Sequence, residues 1–129
     1  LEQIGVVLDL TELDIFPDGM VATADRESLV IAFYNPGDAA CGLVRQYALE
    51  SGALECEWQV PGSPQVTCPL LVEYQGQVQL VVTTAAENMS AERLARYPQA
   101  GCFYRAPTTL ATAPPDYRFS TNQLERLKG

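Results

Sequence analysis

The chain has 129 residues, of which 47% are hydrophobic, 19% charged and 9% aromatic, the proportions of one ordinary globular domain that can bury a single core without staples. Eight basic residues stand against 16 acidic ones, a net charge of −8, which excludes non-specific binding to nucleic acid or to an anionic membrane face because both need basic surface. Histidine is absent, so there is no Ser-His-Asp or Cys-His nucleophile system and no His-based zinc or iron site.

Strand signals run through most of the chain. Residues 4–10 (IGVVLDL) are apolar and β-branched, and 19–23 (GMVAT), 28–34 (SLVIAFY), 42–49 (GLVRQYAL) and 54–60 (LECEWQV) follow. Then come 66–74 (VTCPLLVEY), 78–84 (VQLVVTT) and 101–106 (GCFYRA). Each is short, rich in Val, Ile, Thr, Tyr and Phe, and bounded by turn residues. Residues 25–27 (DRE), 50–52 (ESG) and 75–77 (QGQ) are expected to be hairpin turns. A helix is expected over 90–96, opened by Ser90 as N-cap and halted by Pro98. A second short helix is expected at the C-terminus, over 120–128. It opens on a Ser120-to-Gln123 capping box after the Pro114-Pro115 linker, and residues 120–129 are read as a helical tail on a domain of residues 1–119.

Alternation separates two kinds of strand. In 54–60, Glu55, Glu57 and Gln59 alternate with Leu54, Cys56, Trp58 and Val60, so Trp58 is expected on a largely covered face. Residues 28–34 and 78–84 are nearly unbroken apolar runs, as in strands covered on both faces. A weak repeat is also visible: Pro17-Asp18-Gly19 opens one unit and Pro64-Gln65-Val66 another, 47 residues later. Each opener leads to a strand, a turn and a strongly apolar strand. A period in the forties with about four strands per unit is the propeller pattern, with a sandwich or a barrel as the alternatives.

The remaining chemistry is narrow. The cysteines at 41, 56, 68 and 102 form no C-x-x-C pair. They are expected to be free thiols, most of them packed as small apolar residues. A metal site must therefore use oxygen donors, which suits calcium, magnesium or manganese. No apolar run approaches the roughly 18 residues of a membrane span, and no basic-then-apolar leader is visible, so the expected location is cytoplasmic with no membrane partner.

Several stretches resemble one family. Phe16-Pro17-Asp18-Gly19-Met20, followed by Ala24-Asp25 and then SLVIAFYN over 28–35, resembles the PDGM…LWVA.Y signature of the SMP-30/gluconolactonase/LRE family. Residues 81–85 (VVTTA) resemble its YVTTA strand, 92–101 (ERLARYPQAG) its connection to the last strand, and 115–119 (PDYRF) its terminal PE.RF. The order and spacing agree across residues 4–119. The resemblance implies an all-β fold of propeller-type antiparallel blades, here about two blades of a six-bladed ring. It also implies hydrolysis of a small sugar lactone, and a divalent cation (calcium, magnesium or zinc in the family) held in the central channel by a Glu, an Asn and the Asp of the PDG motif.

Only that Asp maps onto this chain, as Asp18, which is the candidate metal ligand and catalytic residue. Asp-Gly is also a common turn pair, the plainer role for Asp18. Glu87, in the loop after an inner-type strand, is the second candidate metal ligand, ahead of Asn35, Asp38 and Asn88. The family's Trp is Val30 here, and the parts that carry its Glu and Asn ligands lie outside the resemblance. One ligand is not a site, since calcium takes roughly six to eight oxygens. Cation binding is therefore expected to be weak or absent in the isolated chain, and an isolated monomer is expected to be inactive. A homo-oligomer that completes the propeller is geometrically open. The other functional class is a non-catalytic β module that kept the scaffold for binding or assembly.

Overall fold

A computed structural model describes residue 2 and residues 5–115. It contains seven strands and one short helix: β1 (Phe16–Ala22), β2 (Ser28–Tyr34), β3 (Cys41–Ala48), β4 (Leu54–Pro61), β5 (Val66–Tyr74), β6 (Gln77–Thr84), α1 (Ala91–Arg96) and β7 (Phe103–Pro107). The strands form two antiparallel meanders, a four-stranded sheet ordered β1-β2-β3-β4 and a three-stranded sheet ordered β5-β6-β7. This is the all-β, blade-like architecture expected from the strand spacing.

Turn chemistry sets the hairpins. Arg26 adopts φ 63° between β1 and β2, and Gln75 and Gly76 adopt φ 52° and 74° between β5 and β6, the paired left-handed residues that suit the twist of a tight hairpin. Asp25 fixes the first turn by accepting hydrogen bonds from the Thr23 hydroxyl (2.5 Å) and the Glu27 amide (3.0 Å). Both bonds favour the ionised carboxylate, so the Asp25 pKa is lowered, the Thr23 bond contributing most.

The two apolar runs are interior strands of their sheets, but only β2 has the two-sided cover expected of both: in β6 Val78, Leu80 and Val82 are buried toward the first sheet, while Val81 and Thr83 on the other face are half-buried. Val30, Ala32 and Val44 of the first sheet pack against Leu71, Val78, Leu80 and Val82 of the second in one core. The other face of the first sheet buries Ile31, Phe33 and Tyr47 under Leu8, Leu10, Leu13 and Ile15 of the N-terminal segment. The first sheet is thus covered on both faces, which is why β2 reads as an unbroken apolar run.

Three further expectations need correction. Residues 5–10 do not form a strand. They lie over a face of the first sheet rather than along a strand edge, so no neighbouring backbone completes a ladder. Their local bonds are turn bonds, such as Leu13 N–H to the Leu10 carbonyl and Thr11 N–H to the Asp9 carboxylate. The cysteines are all free, but Cys68 and Cys102 are exposed and only Cys41 and Cys56 are half-buried. Cys68 falls on the uncovered face of β5. In β4 the alternation holds for Cys56, Trp58 and Val60, but Leu54 is 51% exposed. It sits at the start of an edge strand, where the pairing with β3 slips between Gln46 and Tyr47.

The helix over α1 forms as expected, with the Ser90 hydroxyl accepting from the Arg93 amide. The expected tail helix of residues 120–129 lies outside the described residues. No described helix is long and apolar enough to cross a membrane.

Candidate functional site

Asp18 sits in a β-bulge. Pro17 pairs with Phe33 and Met20 with Ile31, so Asp18 and Gly19 together stand opposite Ala32. An extra residue of this kind bends the strand and re-aims a side chain. The second sheet repeats the device: Val66 pairs with Thr84 and Cys68 with Thr83, leaving Thr67 as the extra residue of β5. The Cys68 amide freed by this bulge donates to the Thr83 hydroxyl at 3.2 Å, and that hydroxyl lies 2.6 Å from the Thr67 hydroxyl.

The two bulges touch. A Cβ placed on Gly19 would stand 2.6 Å from the Thr67 carbonyl oxygen and 2.8 Å from the Cys68 Cα. No side chain fits there, so glycine lets β1 lie directly against β5. This contact sets where Asp18 stands relative to the second sheet.

Glu87 lies at the same end of the two sheets, where β1 and β5 begin and β2 and β6 finish. The buried Gln65 carboxamide organises that end. Its oxygen accepts from the Tyr34 hydroxyl at 2.9 Å, and its nitrogen donates to the carbonyls of Ala85 (3.0 Å) and Glu87 (3.3 Å). The Gln65 main chain receives the Ala85 amide (2.9 Å) and bridges to Tyr34. The path of the chain through Glu87 is thereby tied to the start of β5. Sequence reading marked the 64–66 opener but not the role of Gln65. The available signal was the polar residue inside that opener, at the position that Asp18 takes in the other one.

The side chains of Asp18 and Glu87 are both exposed. Among the described residues the Asp18 carboxylate accepts no hydrogen bond, and no group of three His, Cys, Asp or Glu side chains could hold a metal ion. A calcium shell of roughly six to eight oxygens is not assembled here, so the described residues do not by themselves fit a complete cation site. The other candidate ligands are engaged or turned to local use. Asn35 Oδ1 accepts from the Gly37 amide at 2.8 Å, and Asn88 holds a left-handed backbone at φ 56°.

Asp38 belongs to a cluster with α1. Its carboxylate meets Arg96 Nη1 at 2.6 Å and lies 3.4 Å from Arg93 Nε. The Tyr97 hydroxyl accepts from the Ala39 amide at 3.1 Å. These contacts pin the β2–β3 loop to α1, and they explain Asp38 as a structural residue.

Comparison with known proteins gives a fold-level likeness. No family model matches the chain, and no curated protein matches it. Among solved structures, it resembles that of a calcium-binding protein, regucalcin, from Agrobacterium tumefaciens strain C58, with a TM-score of 0.69 and 24% sequence identity. The likeness covers 89% of this chain and 36% of the regucalcin chain. The chain therefore spans little more than a third of that neighbour, and what the two share is the arrangement of propeller-type sheets.

Proposed function

We propose that the chain is a two-blade part of a regucalcin-like, divalent-metal-dependent sugar lactonase of the SMP-30/gluconolactonase type, with Asp18 as one carboxylate of its cation site and as its catalytic-site residue. The observation that carries this reading is the pair of abutting bulges, which hold an exposed, unengaged carboxylate at one end of two neighbouring inner strands. The calcium-binding neighbour supports a divalent cation as the cofactor, and Glu87, at the same end, is the second ligand. The remaining ligands come from outside the described residues, so the isolated chain binds cations weakly and hydrolyses no lactone. Four unpaired thiols fit a reducing compartment, and a cytoplasmic location is part of the proposal.

A second reading has its own support. Two exposed carboxylates without a ligand cluster are also what a non-catalytic β module would present. Calorimetric titration with calcium at physiological salt, comparing the chain with Asp18→Ala, separates the two. Weak heat that disappears in the variant supports Asp18 as a ligand. Identical isotherms leave the module reading, because diffuse attraction by the net charge of −8 survives the substitution. Turnover of an aldonolactone by the isolated chain would overturn the claim that its site is incomplete.

A further inference from the structure

The second sheet has an open face. Leu71, Leu80 and Val82 turn toward the first sheet, while on the other face Gln79 is buried, Val72, Val81 and Thr83 are half-buried and the flanking Cys68, Leu70, Tyr74, Phe103 and Arg105 are exposed among the described residues. Leu70, Val81 and Arg105 stand in register across the three strands. Leu70 is 51% exposed and Phe103 75% exposed, with Tyr74 also exposed. An apolar patch of this kind on a sheet marks an interaction surface.

The internal repeat indicates what such a face receives. Matching β2 with β6 through Leu29 and Leu80 brings Val30 opposite Val81 in the alignment and Ala32 opposite Thr83. Val30 and Ala32 are fully buried because the second sheet lies on them. Val81 and Thr83 occupy the equivalent face and are only half-buried, with no equivalent sheet over them among the described residues. The packing between the two sheets thus continues, in the direction of the stack, into a position for a further layer of protein that the described residues leave unfilled.

The opposite end of the stack has the complementary character. There the N-terminal segment exposes Val6 and Phe16 on a groove of about 550 Å³ that also includes Asp9 and Leu10. The ionisable residues of the N-terminal segment and the start of β1 are acidic, Asp9, Glu12, Asp14 and Asp18, and Arg45, which lies beside Asp9 and Glu12, is already paired with Glu57 at 2.8 Å. The open face of the second sheet carries instead a cation, Arg105. Its guanidinium lies 5.0 Å over the Tyr74 ring and has no carboxylate partner among the described residues. Two open faces meeting each other would bring like charges together, whereas an open face meeting an acidic end pairs them.

We propose that the open face of the second sheet docks onto the N-terminal face of a second copy of this chain, head to tail. Repeated head-to-tail contacts close into a ring when the rotation per copy permits. The chain corresponds to 36% of the regucalcin neighbour, so a ring of three copies supplies about the same amount of propeller as that single chain. The proposal needs the sheet faces and the charges of Arg105 and Asp9, not Asp18 as a ligand, and it can fail without touching the cation reading.

The test is light scattering coupled to size exclusion on the full 129-residue chain across the micromolar range, with Leu70→Asp and Arg105→Glu as variants. The expected mass for the parent is about three times the chain's 14.1 kDa. Each variant is expected to shift to monomer while keeping the parent's β circular-dichroism spectrum, because both side chains are exposed. Pairing Arg105→Glu with Asp9→Arg is expected to restore association. A parent that stays monomeric overturns the proposal, as does an association that neither Arg105→Glu nor Asp9→Arg alters. Should Leu70→Asp fail to fold, the charge pair alone decides.

Discussion

Gly19→Ala reports directly on the contact that positions Asp18. Gly19 does not have a left-handed backbone, so alanine is conformationally acceptable at this position. At an unobstructed position the substitution would stabilise by roughly 0.4–1 kcal/mol through the unfolded chain. Here the new methyl meets the Thr67 carbonyl oxygen at 2.6 Å and the Cys68 Cα at 2.8 Å. Both are backbone atoms of a strand that is hydrogen-bonded to β6, so neither can rotate away. β1 must move from β5, and overpacking of this sort costs about 1–3 kcal/mol. The net expectation is a loss of about 1–2 kcal/mol, which lowers the urea midpoint by roughly 0.5–1 M with an unchanged slope. Gly37→Ala is the control, because its methyl meets only the Asn35 carboxamide tip, at 3.1 Å, and it is expected to be near neutral. A Gly19→Ala protein as stable as the parent, or more stable, would refute the bulge-to-bulge packing. The sign of the change decides, since the entropic and steric effects oppose each other.

Three further outcomes follow from the same structure. Glu55 accepts from the Ser28 hydroxyl (2.6 Å) and the Gln46 side-chain Nε2 (2.8 Å), and these bonds, Ser28 first, hold its pKa below the ordinary carboxylate value. A lowered folded pKa contributes stability above the unfolded value and loses it as pH falls through the folded one. Ser28→Ala should therefore raise the Glu55 pKa, read by its side-chain NMR shift against pH, and an unmoved titration would count against this bond. The Trp58 indole donates to the Pro107 carbonyl at 3.2 Å, joining the outer strands of the two sheets. Trp58→Phe should cost about 1 kcal/mol, and the parent's emission should lie to the blue of free tryptophan; emission matching the free amino acid would show that the ring is not covered. Ile31, 2% exposed beneath the N-terminal segment, should lose about 0.5–1.5 kcal/mol on substitution by valine. A neutral Ile31→Val in urea denaturation would mean that the segment does not cover it.

Much of the fold was legible because strand signals are local. The boundaries of β5 were read without error, and those of β2 as well, because a turn residue stops each apolar run at both ends. The buried character of β2 followed from its unbroken apolar sequence. Where legibility failed, the deciding information was distant. Residues 5–10 have the composition of a strand, but a strand needs a neighbour with free backbone groups. Composition cannot say whether that neighbour is present. Cys68 reads as a small apolar residue in an apolar strand, yet its exposure depends on which face of the second sheet is covered. Leu54 shares the parity of Trp58 but loses its cover where the β3–β4 register slips. The same register shift is invisible in the local pattern.

The surroundings of the candidate carboxylate were not legible in the sequence, whatever its role. The PDG opener marks Asp18 as a residue with special geometry, and the Gly beside it invites a turn reading. The structure gives that glycine another purpose: it is small so that the Thr67 backbone can approach. This approach joins two positions far apart in sequence, each of them the extra residue of its own bulge. The orientation of Asp18 therefore belongs to the pair of sheets. With β5 absent, the bulge of β1 would have only β2 to hold it. With β5 present, the Thr67 carbonyl fixes its height, and Gln65 holds the chain through Glu87 at the same end. The proposed role of Asp18 as a cation ligand would gain from such rigidity, because an oxygen already in position loses less freedom on binding. Among the described residues these carboxylates are presented without being gathered into a group that could hold a metal ion, so on the proposed reading the rest of the shell is supplied from elsewhere.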